Sequence, residues 1–149
     1  RRQLEEVRSA ASHLGIELAV VDVRGGAYED AFARIVAARA DALLVGVLTD
    51  FARDSRSIID LCARHRLPAI YAWPDQVLEG GLMAYGANGN EFYTRVALYI
   101  DRLFKGEKPG DLPVVPAAPL ELVLNLGTAR TIGLAFPPAL LSRADKLVE

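Results

Sequence analysis

Apolar positions along the chain fall into two alternating periods. Leu4, Val7, Ala11 and Leu14 recur at steps of three and four, which predicts one face of a helix that Gly15 ends. From Ile16 to Val23 the chain turns rich in Val and Ile, the pattern of a buried parallel strand, and Arg24-Gly25-Gly26 breaks it. Tyr28, Phe32, Ile35 and Val36 then share a helical face. Asp41 to Leu48 predicts a second strand, followed by a loop through Thr49 and Asp50. Ser55 suits the N-cap of a helix whose stripe is Ile58, Leu61 and Cys62. Pro68 opens a third strand, Ala69 to Trp73. The alternation predicts an α/β fold: a Rossmann-like parallel sheet with helices on both faces and right-handed crossovers. The first helix has neither a cap nor a strand before it, so the pattern reads as one joined partway through.

The rhythm changes after Trp73. Pro74, Gly80 and Gly81 mark a turn region, and Leu82 to Tyr85 predicts a short strand. Asn88 or Asn90 caps a long helix with Phe92, Val96, Tyr99, Ile100 and Leu103 on its inward face, ending at Gly106. Lys108 to Pro119 holds Pro109, Pro113, Pro116 and Pro119, which predicts an extended connector. Leu120 to Leu126 alternates like a strand, and Thr128 begins a short helical turn ending near Gly133. Pro137-Pro138 open a terminal helix with Leu140, Leu141, Ala144, Leu147 and Val148 inside.

Composition narrows the chemistry. The 149 residues suit one domain, and 52% hydrophobic content excludes a disordered chain. A net charge of −2 with mixed signs gives no basic footprint, so no nucleic-acid partner is expected. No apolar run reaches the roughly 18 residues of a membrane span. The opening Arg1-Arg2-Gln3-Leu4 is charged and helical in pattern, unlike a signal peptide. The single cysteine excludes an internal disulfide and any multi-cysteine metal site. Cys62 sits on an apolar stripe and reads as a structural thiol rather than a nucleophile. His13 and His65 fall late in their helices, where a cation meets the negative helix end, and neither stands in a metal-ligand spacing. Gly25-Gly26 lacks the further glycine and the Lys-Ser/Thr pair of a phosphate loop. No catalytic residue, metal or cofactor is expected.

Unusual polar residues cluster at predicted strand ends instead. Ligands of open parallel α/β sheets bind outside the carboxyl ends of the strands. The first strand delivers Asp22 and Arg24, the second Thr49 and Asp50, the third Trp73 and Asp75, and the next short segment Tyr85. Of these, Thr49, Asp50, Trp73, Asp75 and Tyr85 form the candidate ligand set. Two carboxylates, a hydroxyl and two aromatics suit a small polar solute with a flat or apolar body. Each has a structural alternative: Asp50 and Asp75 as caps, Trp73 as core, Tyr85 as packing beneath the long helix.

Several stretches resemble a known family. They are Leu67-Pro68-Ala69-Ile70-Tyr71 followed by Glu79 to Gly86, Leu103 to Val114, Leu120 to Leu126, and Pro137-Pro138 through Arg143 to Glu149. In this order they resemble the C-terminal half of ABC transporter substrate-binding proteins of the tryptophan-binding, TrpX-like type. The resemblance implies a lobe of the type I periplasmic-binding-protein fold, in which two Rossmann-like lobes close on a solute. It assigns 1–79 to a second-lobe α/β segment, 80–119 to a hinge-crossing helix and proline-rich connector, and 120–149 to a returning strand and C-terminal helix. By the same resemblance the chain lacks the first lobe and the opening strand of the second. Ala72-Trp73-Pro74-Asp75 varies the family's cleft loop, so the solute does not carry over.

The implied function is capture of a small-molecule solute, amino-acid-like or aromatic, in the periplasm and its delivery to an ABC transporter permease in the membrane. The long helix, expected to lack the lobe it packs on, predicts a homodimer formed by exchanging that helix. A ligand-sensing domain of a regulator shares this fold, and a small α/β enzyme using Asp50 or Asp75 is the third reading. The absence of a nucleophile–base pair speaks against the last.

Overall fold

A computed structural model describes residues 2–116 and 118–149; the expected helical start at Arg1 and the connector at Ala117 lie outside them. The chain divides into two compact units, Arg1–Ala40 and Asp41–Glu149.

The first unit holds helix α1 (Arg2–Leu14) and helix α2 (Tyr28–Ala37). Both helices form where predicted, but the stripes bury only in part: Ala11 is buried on α1 while Leu14 is exposed, and Tyr28, Ala31, Phe32 and Ile35 are buried on α2 while Val36 is exposed. Gly15 ends α1 at φ 67°, and Gly25 and Gly26 at 61° and 77° turn the chain into α2. The strand expected at Ile16–Val23 does not form. The segment joins no ladder among the described residues, and Ile16, Leu18 and Val20 stay exposed. A Val- and Ile-rich run becomes a strand only where a neighbour completes its hydrogen bonds.

The second unit runs β1 (Leu43–Leu44), α3 (Thr49–Arg53), α4 (Ser55–His65), β2 (Ala69–Tyr71), α5 (Pro74–Leu78), β3 (Met83–Ala87) and α6 (Gly89–Phe104). A 3-10 turn at Pro109–Asp111 interrupts the otherwise extended connector. Then come β4 (Leu120–Asn125), α7 (Leu126–Ile132), α8 (Pro138–Leu141) and β5 (Lys146–Val148). The strands form one sheet in the order β1-β2-β3-β4-β5. β1, β2 and β3 are mutually parallel, β4 runs antiparallel to β3, and β5 parallel to β4. This is an α/β lobe with a mostly parallel sheet.

Several boundaries move. The second strand keeps only Leu43–Leu44, and the expected loop at Thr49-Asp50 is helix α3. Asp54 occupies the cap position before α4, and Ser55 is its first residue, with a hydroxyl donated to Glu79. The turn expected from Thr128 begins at Leu126, because the Asn125 side chain accepts the Thr128 N–H at 2.8 Å. The long terminal helix is corrected to α8 followed by β5. Asp145 exchanges two bonds with Leu122: its N–H donates to the Leu122 carbonyl at 2.9 Å and its carboxylate accepts the Leu122 N–H at 2.7 Å. That clamp lays Lys146–Val148 alongside β4 and places Leu147 and Val148 in a strand.

Strand alternation puts Tyr71, Ala84, Val123 and Asn125 on one sheet face and Met83, Leu122 and Leu124 on the other. Helix α5 contacts β2, β3 and β4, and its Val77 is fully buried. Leu122 and Leu124 cluster with Phe136 and with Leu140 and Leu141 of α8. None of the α6 residues is buried, so its predicted inward face, Phe92, Val96, Ile100 and Leu103, is exposed in this unit.

Candidate functional site

Because β1, β2 and β3 are parallel, their exits lie at one end of the sheet. Each leads into the start of a helix: β1 into α3, β2 into α5 and β3 into α6. The carboxyl edge thus carries three adjacent strand-to-helix junctions, the arrangement in which open α/β sheets bind ligands.

Thr49 and Asp50 form the first turn of α3. Asp50 pairs with Arg53 one turn later at 3.0 Å, both side chains mostly exposed. Trp73 stands at the cap position of α5, 39% exposed, with Pro74 as the first helical residue. The Trp73 N–H donates to the Gln76 side-chain oxygen at 3.2 Å. Asp75 follows in the first turn, exposed. One Asp75 oxygen lies 3.6 Å from where a β-carbon on Gly89 would stand, beside the opening of α6 and its positive helix end. Tyr85 lies on β3 across from Leu122 and is 55% exposed. Thr49, Asp50, Trp73 and Asp75 thus stand at the junctions that follow β1 and β2, whereas Tyr85 lies midway along β3 and not at its exit. Asp22 and Arg24 belong to the first unit, where they pair with each other at 3.0 Å.

Polar contacts, several of them part-buried, hold these junctions. Gln76, only 4% exposed, also donates its amide to the Phe51 carbonyl of α3 at 3.5 Å. At the far end of α5, Ser55 donates to the Glu79 carboxylate and Arg56 to the Glu79 carbonyl at 3.3 Å. The Asn125 amide donates to the Val77 carbonyl at 3.3 Å, and Thr128 donates to the Gly80 carbonyl at 2.9 Å. Asn88 caps α6 by accepting the Glu91 N–H at 3.1 Å, and its amide donates to Glu121 at 2.8 Å. Gly86 lies so close to β2's exit that a β-carbon there would stand 1.8 Å from the Ala72 carbonyl oxygen. Sequence reasoning left the cap open between Asn88 and Asn90, of which the structure uses Asn88, and missed Gln76 and Gly86. A glutamine three residues after the cap position, and a glycine inside a strand pattern, were the available signals.

A small, partly open cavity of the lobe lies elsewhere. It holds about 20 Å³ and is lined by Cys62 of α4, Ala69 and Tyr71 of β2, and Thr128 and Ile132 of α7, with Gly80 to Leu82 leading into β3. Burial pushes the Cys62 thiol up to about 11, with hydrogen bonding to Tyr71 offsetting part of the rise. Burial and the neighbouring Cys62 raise the Tyr71 hydroxyl well above its ordinary value. A thiol so held stays protonated near neutrality, which is the opposite of nucleophile activation. Among the described residues, no group of three or more His, Cys, Asp or Glu side chains is placed to hold a metal ion. No described helix is long and apolar enough to cross a membrane.

The family model described as ABC transporter substrate binding protein matches residues 1–148, and the chain belongs to that family. Solved structures share the fold. A conserved domain protein from Vibrio cholerae aligns over 98% of this chain and 49% of its own, at 23% identity and a TM-score of 0.82. An ABC domain from Streptococcus pneumonia, in complex with L-Trp, aligns over 99% and 50%, at 20% identity and a TM-score of 0.83. The ligand-free, open structure of a substrate binding protein with adhesive properties from Clostridium difficile aligns over 98% and 49%, at 17% identity and a TM-score of 0.66. The chain thus spans about half the length of these structures. No curated protein matches it by sequence.

Proposed function

We propose that this chain is one lobe of the solute-capturing component of an ABC import system. Its solute is small and amino-acid-like, with a flat or apolar body, and it is handed to a permease in the membrane. The family match across residues 1–148 carries this reading. The L-Trp complex of the Streptococcus relative supports the solute class. In this lobe Thr49, Asp50 and Asp75 bind the polar part of the solute, and Trp73 and Tyr85 take its apolar body. A carboxylate gives an ammonium a charge-assisted hydrogen bond of roughly 1.5–3 kcal/mol, and an aromatic face adds on the order of 1 kcal/mol.

The protein works outside the cytoplasmic membrane, in the periplasm, by binding and not by catalysis; the protonated Cys62 thiol fits that reading. Residues 80–119 form the hinge-crossing part, and the exposed apolar side of α6 pairs with a second copy when no first lobe covers it. The test is calorimetric titration of the full-length protein with L-tryptophan and with a panel of the other L-amino acids. Saturable binding of at least one supports the reading. Silence across the panel, with turnover of generic ester or phosphate substrates, refutes it.

A further inference from the structure

The two exits that carry most of the candidate set, β1 into α3 and β2 into α5, are separate loops with no main-chain ladder between their helices. Something must fix their spacing if Asp50 and Asp75 are to meet one solute. Gln76 is placed for that task. It is the third residue of α5, and its buried amide touches both loops: the oxygen accepts the Trp73 N–H at 3.2 Å, and the nitrogen donates to the Phe51 carbonyl at 3.5 Å. A buried amide is strongly driven to use both ends, because an orphaned donor or acceptor costs the full desolvation of that group. No other polar side chain of α5 or α3 is buried. The nearby Ser55–Glu79 contact ties the far end of α5 to α4 and does not reach Trp73.

We propose that Gln76 is a positioning residue of the solute site: its carboxamide locks the Thr49–Phe51 turn to the Trp73–Asp75 turn, so that the two loops act as a single jaw. This rests on the solute-binding reading above. Gln76 itself does not contact solute.

Trp73 is the chain's only tryptophan, so its fluorescence reports on this jaw directly. The experiment compares wild type with Gln76→Met, of similar length but without hydrogen-bonding groups, and with Gln76→Glu, which keeps an acceptor for Trp73 N–H and loses the donor to Phe51. Ser55→Ala, Asp75→Asn and Trp73→Ala complete the set. Readouts are Trp73 emission and acrylamide quenching in this chain, the urea midpoint, and calorimetric affinity for L-tryptophan in the full-length protein. Gln76→Met is expected to shift Trp73 emission, to raise its quenching severalfold and to weaken L-tryptophan about tenfold. Gln76→Glu should leave emission nearer wild type while still weakening binding, which keeps the proposal testable if Gln76→Met unfolds. Ser55→Ala should lower the urea midpoint and leave emission and affinity alone. If Gln76→Met and Gln76→Glu lower only the urea midpoint, as Ser55→Ala does, while Asp75→Asn and Trp73→Ala weaken binding, Gln76 is merely structural and the proposal falls, the solute reading surviving. If none of the variants changes affinity, the solute site itself is misplaced and both fall together.

Discussion

Replacing Gly86 with alanine tests how closely the sheet is built at its functional end. Gly86 lies on β3 beside the β2 exit, where a β-carbon would stand 1.8 Å from the Ala72 carbonyl oxygen and 2.9 Å from its carbon. Both neighbours are backbone, so no side chain can swing aside. Restoring ordinary contact at 3.4 Å requires β3 and the Ala72–Trp73 segment to move apart by more than a hydrogen bond tolerates. The cost combines overpacking strain of roughly 1–3 kcal/mol with one or two weakened ladder bonds at about 1 kcal/mol each. About 3 kcal/mol is therefore expected, against a stability of order 10 kcal/mol for a domain of this size. With a urea m-value of about 2 kcal/mol/M, the midpoint should fall by roughly 1.5 M. Gly110→Ala is the control: nothing stands within 4 Å of its β-carbon position, its φ is ordinary, and its stability should hold to within about 0.5 kcal/mol, a midpoint change of no more than about 0.25 M. Equal midpoints for the two variants would show that the Gly86 contact is not as the structure describes it.

Three further outcomes follow from the same geometry. Burial makes Cys62 hold its proton more tightly, so its contribution to stability is complete below the thiol's ordinary 9.0 and is lost as pH rises towards about 11; Tyr71, also raised, loses its contribution only at higher pH. At about 1.4 kcal/mol per unit, Cys62 accounts for roughly 3 kcal/mol; urea midpoints at pH 8 to 11 should fall more steeply for wild type than for Cys62→Ala, and parallel profiles would contradict this. Asp75→Asn in the full-length protein should weaken L-tryptophan by tenfold or more in calorimetry, and unchanged affinity would remove Asp75 from the solute set. Light scattering of this chain should show a dimer or larger species, since Phe92, Val96, Ile100, Leu103 and Phe104 leave α6 apolar and open; a monodisperse monomer at high concentration would refute it.

Elements whose signal is local were readable in the sequence. Helix α4 buries its apolar stripe, α6 forms where its stripe predicts a helix although that face stays exposed, and β2 and β4 form at their apolar runs. What failed depends on partners distant in sequence. Ile16–Val23 has strand composition but joins no ladder, whereas Lys146–Val148 has helical spacing and becomes a strand because Asp145 clamps Leu122. That Thr49, Asp50, Trp73 and Asp75 follow parallel strands was legible, because it needs only the order of the strands. Gln76 was legible only in part: its place three residues after the cap position signals the bond back to Trp73, but nothing in Pro74-Asp75-Gln76 states that its amide also reaches across to Phe51.

The antiparallel pairing of β4 with β3 has a mechanical consequence. Ala87 ends β3 directly opposite Leu120, which begins β4, and the Asn88 N–H donates to the Pro119 carbonyl at 3.3 Å. The excursion through α6 and the connector therefore leaves and re-enters the sheet at one point, as a lever does at its pivot. A pull on α6 reaches the sheet first at Asn88, through its contacts with Pro119 and Glu121, and then unzips β3 from β4 one rung at a time, starting at Ala87–Leu120. The load enters beside Tyr85 and Gly86, so any swing of that arm is felt first by the strand that carries them. The rungs near Met83 and Leu124, deep in the core, are the last to yield.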